Sequence, residues 1–288
     1  MASLVDYAYL TVEGQGLGDF TLVGGDGAFK TATIDLGHAE PREVSHSRAG
    51  IDGEDDDTRF HDGRVVSFEG AAWTPTSSAV DVVDRLSAYT RPGLRPWLVY
   101  RPAGKGERRV KLRATSLSRP MAGREPGIIR VAAQWRAPDG VSESTEEHVE
   151  AANPAEDVDG RAYPLLFDRS YPASTGPGRI DIVHTGSTVA YPVLRIFGPC
   201  TDPLVENETS GRQLAFEITI ANGDYLEVDT RQRTIRLNGL TASSRYDALD
   251  FPASQWWGLL PGSNRVRFAP AAFSAPSLLE VRYRAAWL

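Results

Sequence analysis

From Gly186 to Leu288 the apolar residues recur on every second position in short runs, and turn dipeptides separate the runs. That period puts one face of a pleated strand in a core and the other in solvent, so the region is read as an antiparallel β module. In Arg212 to Ala221, Leu214, Phe216, Ile218 and Ile220 share a face. Asn222-Gly223 follows, and Asn-Gly suits a two-residue type I′ hairpin, whose central residues both need positive φ. Asp224 to Asp229 is therefore expected to return antiparallel, with Leu226 and Val228 inward. Thr234 to Asn238 is a third strand with Ile235 and Leu237 inward, closed by a second turn at Asn238-Gly239. After an irregular stretch from Leu240 to Ser254 come Val266 and Phe268. Leu279, Val281, Tyr283, Ala285 and Trp287 then alternate with Glu280, Arg282 and Arg284, and the chain is expected to close the module on this strand.

At 288 residues with 41% hydrophobic side chains, the chain can build two cores, and two domains are expected. It has no apolar run of about eighteen residues and no basic-then-apolar start, so neither a membrane span nor a secretory signal is expected, and folding is assigned to a cytosol. The one cysteine, Cys200, has no internal partner, and no His and Cys cluster offers a structural zinc site. A net charge of -7 argues against general nucleic-acid binding, which needs a basic surface, and points to protein partners.

The first half is also strand-rich, with candidates at Leu4 to Val12, Phe20 to Val23, Phe29 to Leu36, Arg64 to Glu69, Pro96 to Tyr100, Glu107 to Ser116 and Gly127 to Trp135. One helix interrupts them, near 78–91. Ala79, Val82, Val83, Leu86 and Tyr89 fall at helical spacing, Ser78 stands at the N-cap with Asp81 three residues on, and Pro92-Gly93 ends the run. Within Glu107 to Ser116, Val110, Leu112 and Ala114 alternate with Arg109, Lys111 and Arg113, giving a strand with one basic face. That face reads first as a solvated exterior and second as a contact surface lining a ring or channel. The polar stretch 141–159 has no apolar period and is read as a linker between domains 1–140 and 160–288. The irregular stretch Gly37 to Gly63, with acidic residues from Asp52 to Asp57, is expected to project as a long exposed loop.

Chemistry-bearing patterns are sparse. The acidic run lacks the ligand spacing of a calcium loop, and His38, His46 and His61 form no helical pair. No serine sits in a nucleophile elbow, and Cys200 has no base nearby in sequence, so no catalytic residue, metal or cofactor is assigned. Trp256 and Trp257, with Tyr246, are candidates for an aromatic platform that stacks sugar rings. Adjacent residues of an extended segment point to opposite faces, so core packing is preferred for at least one tryptophan.

The order of several short motifs carries more. Gly160-Arg-Ala-Tyr-Pro164, Gly178-Arg-Ile-Asp-Ile-Val183, Gly186, Ala190-Tyr-Pro-Val-Leu-Arg-Ile-Phe-Gly-Pro199, Asn222-Gly-Asp224, Leu226-Glu-Val-Asp-Thr230, Leu260-Pro-Gly-Ser-Asn264 and Glu280-Val-Arg-Tyr-Arg284 through Trp287 resemble the C-terminal galectin-like sandwich of siphophage distal tail proteins, notably the minor tail proteins of phages of GC-rich actinobacteria. In the first half, Gly63-Arg-Val-Val-Ser-Phe-Glu-Gly70, the helix after it, Pro96-Trp-Leu-Val-Tyr100, Glu107-Arg-Arg-Val-Lys111 and Arg136-Ala-Pro-Asp139 resemble the family's ring-forming domain.

The resemblance implies a mainly β chain. It has an N-terminal β-sandwich or split-barrel ring-forming domain with one α-helix, then a C-terminal galectin-like antiparallel β-sandwich. It implies a structural virion protein without enzymatic activity, six copies forming a ring that joins the tail tube to the tip or baseplate. Its partners would be its own copies, the tail tube protein, the tail-associated hub or tip protein, the tape measure and receptor-binding proteins, with no membrane or specific nucleic acid. It would be assembled in the bacterial cytoplasm and reside at the tail tip. In that frame Arg109, Lys111 and Arg113 face the lumen or the next subunit. The rival reading is a carbohydrate-binding adsorption module for host surface glycans, and a galectin-like fold does not by itself supply a sugar site.

Overall fold

The computed structural model of the protein describes residues 5–13, 17–24, 29–42, 45–48, 51–52, 54–56, 60–73, 76–118, 128–154 and 178–288. The motif Gly160 to Pro164 lies outside them. The chain divides into two compact units: Met1–Thr145 with Trp287–Leu288, and Glu146–Ala286.

Two antiparallel sheets build unit 1. The larger runs, edge to edge, through Phe20–Val23, Val5–Thr11, Trp97–Pro102, Arg108–Lys111, Ser142–Ser144 and Ala286–Trp287. The smaller runs through Thr31–Asp35, Arg64–Trp73, Ile128–Ala137 and Arg113–Ser118. Alternation explains both: Val66 and Phe68 on one strand, and Val131, Ala133 and Trp135 on its neighbour, are buried with Leu10, Leu22, Leu98 and Leu112. The helix Thr76–Ala88 adds Val83 and Leu86, and Tyr89 joins just beyond it. It starts two residues before the expected cap, so Ser78 is inside the helix. Across the core the buried Arg64 guanidinium donates to Ser142 Oγ, which also pairs with the Tyr100 hydroxyl at 2.8 Å, a polar bolt between the two sheets.

Three expectations for this half are corrected. Glu107 to Ser116 is two strands, because the chain switches sheets at Leu112, whose side chain is fully buried and whose N–H donates to the Pro96 carbonyl at 2.8 Å. A period of two persists through such a switch, so the pattern hides it. The stretch Gly37 to Gly63 is not structureless. Ser45–Ser47 pairs with Glu54–Asp56, Pro41 bridges His61, and Arg42 is 2.8 Å from Asp62, which makes a two-stranded ribbon between neighbouring strands of the smaller sheet. The polar stretch 141–159 holds the strands Ser142–Ser144, between Arg108–Lys111 and Ala286–Trp287, and His148–Ala152, at a border of the five-stranded sheet, and strands this short and polar show no apolar period.

Unit 2 pairs a five-stranded sheet, in the order His148–Ala152, Leu278–Tyr283, Val193–Phe197, Tyr225–Asp229 and Thr234–Leu237, with a four-stranded sheet of Arg179–His184, Gly262–Phe268, Leu204–Asn207 and Arg212–Ala215. A third, short sheet joins Thr219–Ile220, Cys200–Thr201 and Ala272–Phe273. Ile182, Leu194, Phe216, Trp257 and Phe268 are among the fully buried side chains.

The first Asn-Gly behaves differently from expectation. Only Gly223 takes positive φ (90°), and Asp224 N–H donates to the Ala221 carbonyl, so this turn lacks the two positive-φ residues of type I′. Arg212 to Ala221 splits into Arg212–Ala215 and Thr219–Ile220 on different sheets, and Tyr225–Asp229 pairs with Val193–Phe197 and Thr234–Leu237 instead. Backbone bonds from Phe216 to Pro203 and from Glu217 to Ala248 carry the chain around that corner. Asn238 and Gly239 do have φ of 53° and 68°, with Leu240 N–H donating to the Leu237 carbonyl. The last strand also divides. Leu278–Tyr283 ends in unit 2, whereas Trp287 and Leu288 belong to unit 1.

Candidate functional site

The smaller sheet of unit 1 has two open borders. Among the described residues, neither Thr31–Asp35 nor Arg113–Ser118 makes backbone hydrogen bonds beyond those to its inner neighbour. Register across the sheet runs Asp35, Ser67, Gln134, Ser116 in one row and Thr33, Glu69, Ala132, Ser118 in the next. The outer face is therefore mostly small and polar, and Thr31, Thr33, Glu69, Ala71, Arg130 and Ala132 line an open depression on it. A bulge at Thr115 bends one border; bulged edges resist pairing with an arbitrary flat strand.

Arg113 stands on that border opposite Arg136, in one row with Val65. Like charges directly across a ladder repel, so the row gains from an acid placed beyond the edge. At the other border, Asp35 lies near the same end of the sheet, its carboxylate accepting a local bond from Gly37 N–H.

Arg109 and Lys111 are placed elsewhere. On the larger sheet, Arg109 is 2.8 Å from Glu143 and 3.6 Å from Glu13, and its guanidinium lies 4.3 Å from the Trp97 ring centre. Lys111 Nζ is 5.3 Å from the same ring, and Arg108 is 3.9 Å from that of Trp287. These cations are engaged inside the unit by ion pairs and cation-π contacts. Of the three candidates, Arg113 alone lies on an open border.

The aromatic candidates also separate. Trp257 is 2% exposed and packs in the core, Trp256 is half-buried, and Tyr246 is exposed. Tyr246 meets Phe251 edge to face at 5.4 Å, and Phe251 is more exposed still at 57%. Phe251 escaped the sequence reading because it lies in an irregular stretch without a period. Cys200 is buried, which pushes its thiol pKa up and disfavours the thiolate. Among the described residues, no group of three His, Cys, Asp or Glu side chains converges as metal ligands, and no helix is long and apolar enough to cross a membrane.

Residues 185–287 match the family described as siphovirus-type tail component, C-terminal domain. Over 98% of this chain and 99% of the other, the fold is similar to that of the Dit protein of phage SPP1, described as a paradigm of the hub adsorption apparatus in phages infecting Gram-positive bacteria (TM-score 0.65, 12% identity). A chain of the phage P2 baseplate in its activated conformation with Ca has a TM-score of 0.45 and 13% identity, over 96% of this chain and 97% of that one. A chain from the tail of an empty GTA particle, refined with C6 symmetry, has 0.33 and 17%, over 49% and 95%. No curated protein sequence matches the chain.

Proposed function

We propose that this chain, whose residues 185–287 match the siphovirus-type tail component family and whose whole length is similar in fold to SPP1 Dit, is a structural protein of a phage tail tip. Six copies form a ring that joins the tail tube to the tip or baseplate and its receptor-binding apparatus. The work is assembly, with no reaction.

The observation that carries the ring is the pair of open borders on one sheet. Three antiparallel steps separate Thr31–Asp35 from Arg113–Ser118, so these strands run in opposite directions. A copy rotated about a ring axis then brings its Thr31–Asp35 antiparallel to the neighbour's Arg113–Ser118, extending the ladder in the pairing mode already in use. That junction sets Asp35 of one copy at the end of the border where Arg113 and Arg136 of the next lack an acid. A heterologous contact of this kind closes into a ring when its rotation permits.

Mass measurement in solution tests this: a closed oligomer is expected, and the chain is expected in purified virions. A monomer at every concentration, absent from virions, would sink the reading. The rival, glycan adsorption, is favoured by one observation, the exposed Tyr246 and Phe251 pair, since a pyranose ring can stack on an aromatic face. Glycan-array binding lost in Tyr246→Ala with the fold intact would support it.

A further inference from the structure

Unit 2 contains a buried histidine that neither the assembly borders nor the aromatic surface uses. His184, 1% exposed, ends the strand Arg179–His184. Its Nε2 accepts the Ala286 backbone N–H at 3.0 Å. An imidazole that accepts at Nε2 is neutral and carries its proton on Nδ1, which here is buried.

The far side of Ala286 is held as well. Its carbonyl accepts from Ser187 N–H at 2.9 Å and Thr188 N–H at 3.3 Å. Gly186 permits this approach: a Cβ there would lie 2.0 Å from the Ala286 oxygen and 2.5 Å from His184 Nε2. Ala286 is the last residue of unit 2, and Trp287, in unit 1, lies beneath the Arg108 guanidinium. The segment is thus gripped on one side by a titratable acceptor and on the other by two backbone donors.

We propose that His184 is a proton-sensitive clasp on the C-terminal segment: neutral, it holds Ala286, and protonated, it lets Ala286 and the residues after it go. The chemistry is direct. Protonation puts a hydrogen on Nε2, which turns the acceptor into a donor facing another donor, and buries a cation. Among the described residues, no charged side chain pairs with the imidazole to compensate. On the same strand, Asp181 points to the outer face and pairs with Arg265 at 2.7 Å. On the paired strand, Gly262 stands opposite, and the buried Asn264 is spent on Leu260 and Gly262. Arg284, two residues before Ala286, reaches Glu147 at 3.7 Å. Burial pushes the His184 pKa down, against a smaller opposing pull from the Leu260 backbone. The neutral form therefore persists somewhat below 6.5, the ordinary value, and the clasp weakens as pH falls below that.

Hydrogen exchange at the Ala286 amide between pH 8 and pH 4, corrected for intrinsic rates, tests the clasp in the full chain. Expected is a loss of protection of roughly tenfold at Ala286, with Leu194 and Val281 in the same unit unchanged. His184→Gln keeps an acceptor without a titration and is expected to flatten that pH dependence. His184→Leu is expected to leave Ala286 poorly protected at every pH. Protection in the unsubstituted chain that stays level to pH 4, that falls equally in His184→Gln, or that falls together with Leu194 and Val281, overturns the proposal.

Discussion

The smaller sheet of unit 1 and the five-stranded sheet of unit 2 are both open antiparallel sheets with one buried face, yet they treat their borders and charges differently. In unit 2 the border strand Thr234–Leu237 is covered by the chain itself: Leu237 N–H donates to Ser243, and Arg245 N–H to Ile235. Its outer face carries the row Glu280, Arg195, Glu227, Arg236, in which signs alternate and Arg195 sits 2.9 Å from Glu227. That row is neutralised within one copy. In unit 1, among the described residues, both borders of the smaller sheet stay open, and Asp35 and Arg113 stand on opposite borders, too far apart in the sheet to satisfy each other. Among the described residues, the five-stranded sheet covers one border and leaves the other, His148–Ala152, open, whereas the smaller sheet leaves both open with charges of opposite sign on its two sides.

The contrast requires that each sheet rest on its own core. Trp135 is wholly buried beneath the smaller sheet. Trp135→Ala is expected to cost unit 1 about 3–5 kcal/mol. Hydrogen exchange checks it: protection should fall across Arg64–Trp73 and Ile128–Ala137 and hold across Val193–Phe197 in unit 2.

The covered border of unit 2 depends on Asn238. Its φ of 53° is a conformation asparagine tolerates better than most residues, its Oδ1 accepts Tyr225 N–H at 2.9 Å, and its Nδ2 donates to Asp224 at 2.8 Å. Asn238→Ala removes both side-chain bonds and strains the turn, at about 1–3 kcal/mol. The amides of Leu237 and Arg245 should then exchange faster than that of Leu226 on the inner strand. If they do not, the covering segment is held by something other than this turn.

This turn also shows how far the sequence could be read. Both Asn-Gly pairs carry the same local signal, which predicts a type I′ turn at Asn222-Gly223. Only Asn238-Gly239 has two positive-φ residues: there the chain folds straight back along Thr234–Leu237, with Arg236 bridging Ser244, whereas the strands flanking Asn222-Gly223 lie in different sheets. Local propensity selects a turn, and the sheet decides which turn forms. The same limit explains Glu107 to Ser116 and Arg212 to Ala221, where alternation marks Val110, Leu112, Leu214, Phe216 and Ile220, all buried, with Ala114 and Ile218 half-buried, and gives no sign that the backbone changes sheets. Short polar strands such as Ser142–Ser144 carry no apolar period, so the pattern does not reveal them. The basic face was legible as residues, but its split, with Arg109 and Lys111 satisfied internally and Arg113 on a border, depends on partners distant in sequence: Glu143, Trp97 and Arg136.

The open borders predict a reciprocal charge effect. Arg113→Asp or Asp35→Arg alone is expected to weaken self-association by about 1 kcal/mol at each junction, the scale of a partly exposed ion pair. The double exchange should recover most of the loss. Sedimentation of the three variants at matched concentration reads this. Equal weakening in the double variant would mean the two borders do not meet.

The smallest effect lies where unit 2 settles its own charge. Glu147 is 2.6 Å from Arg282 and 3.7 Å from Arg284. The hydrogen bond from Arg282 holds its carboxyl below the ordinary 4.5, burial opposing. A carboxyl whose folded value is depressed stabilises the fold fully above its unfolded value and loses that contribution as pH falls through the folded one. Unit 2 should thus lose a small part of its stability below pH 4.5, and Glu147→Gln should lack that part of the acid sensitivity while changing little at neutral pH, where a half-exposed pair contributes modestly. Because the pair is complete within one copy, the shift should be the same for free and assembled protein. An acid response at Glu147 that appears only on assembly would place Arg282 at a junction between copies, and the division of labour between the two sheets would have to be redrawn.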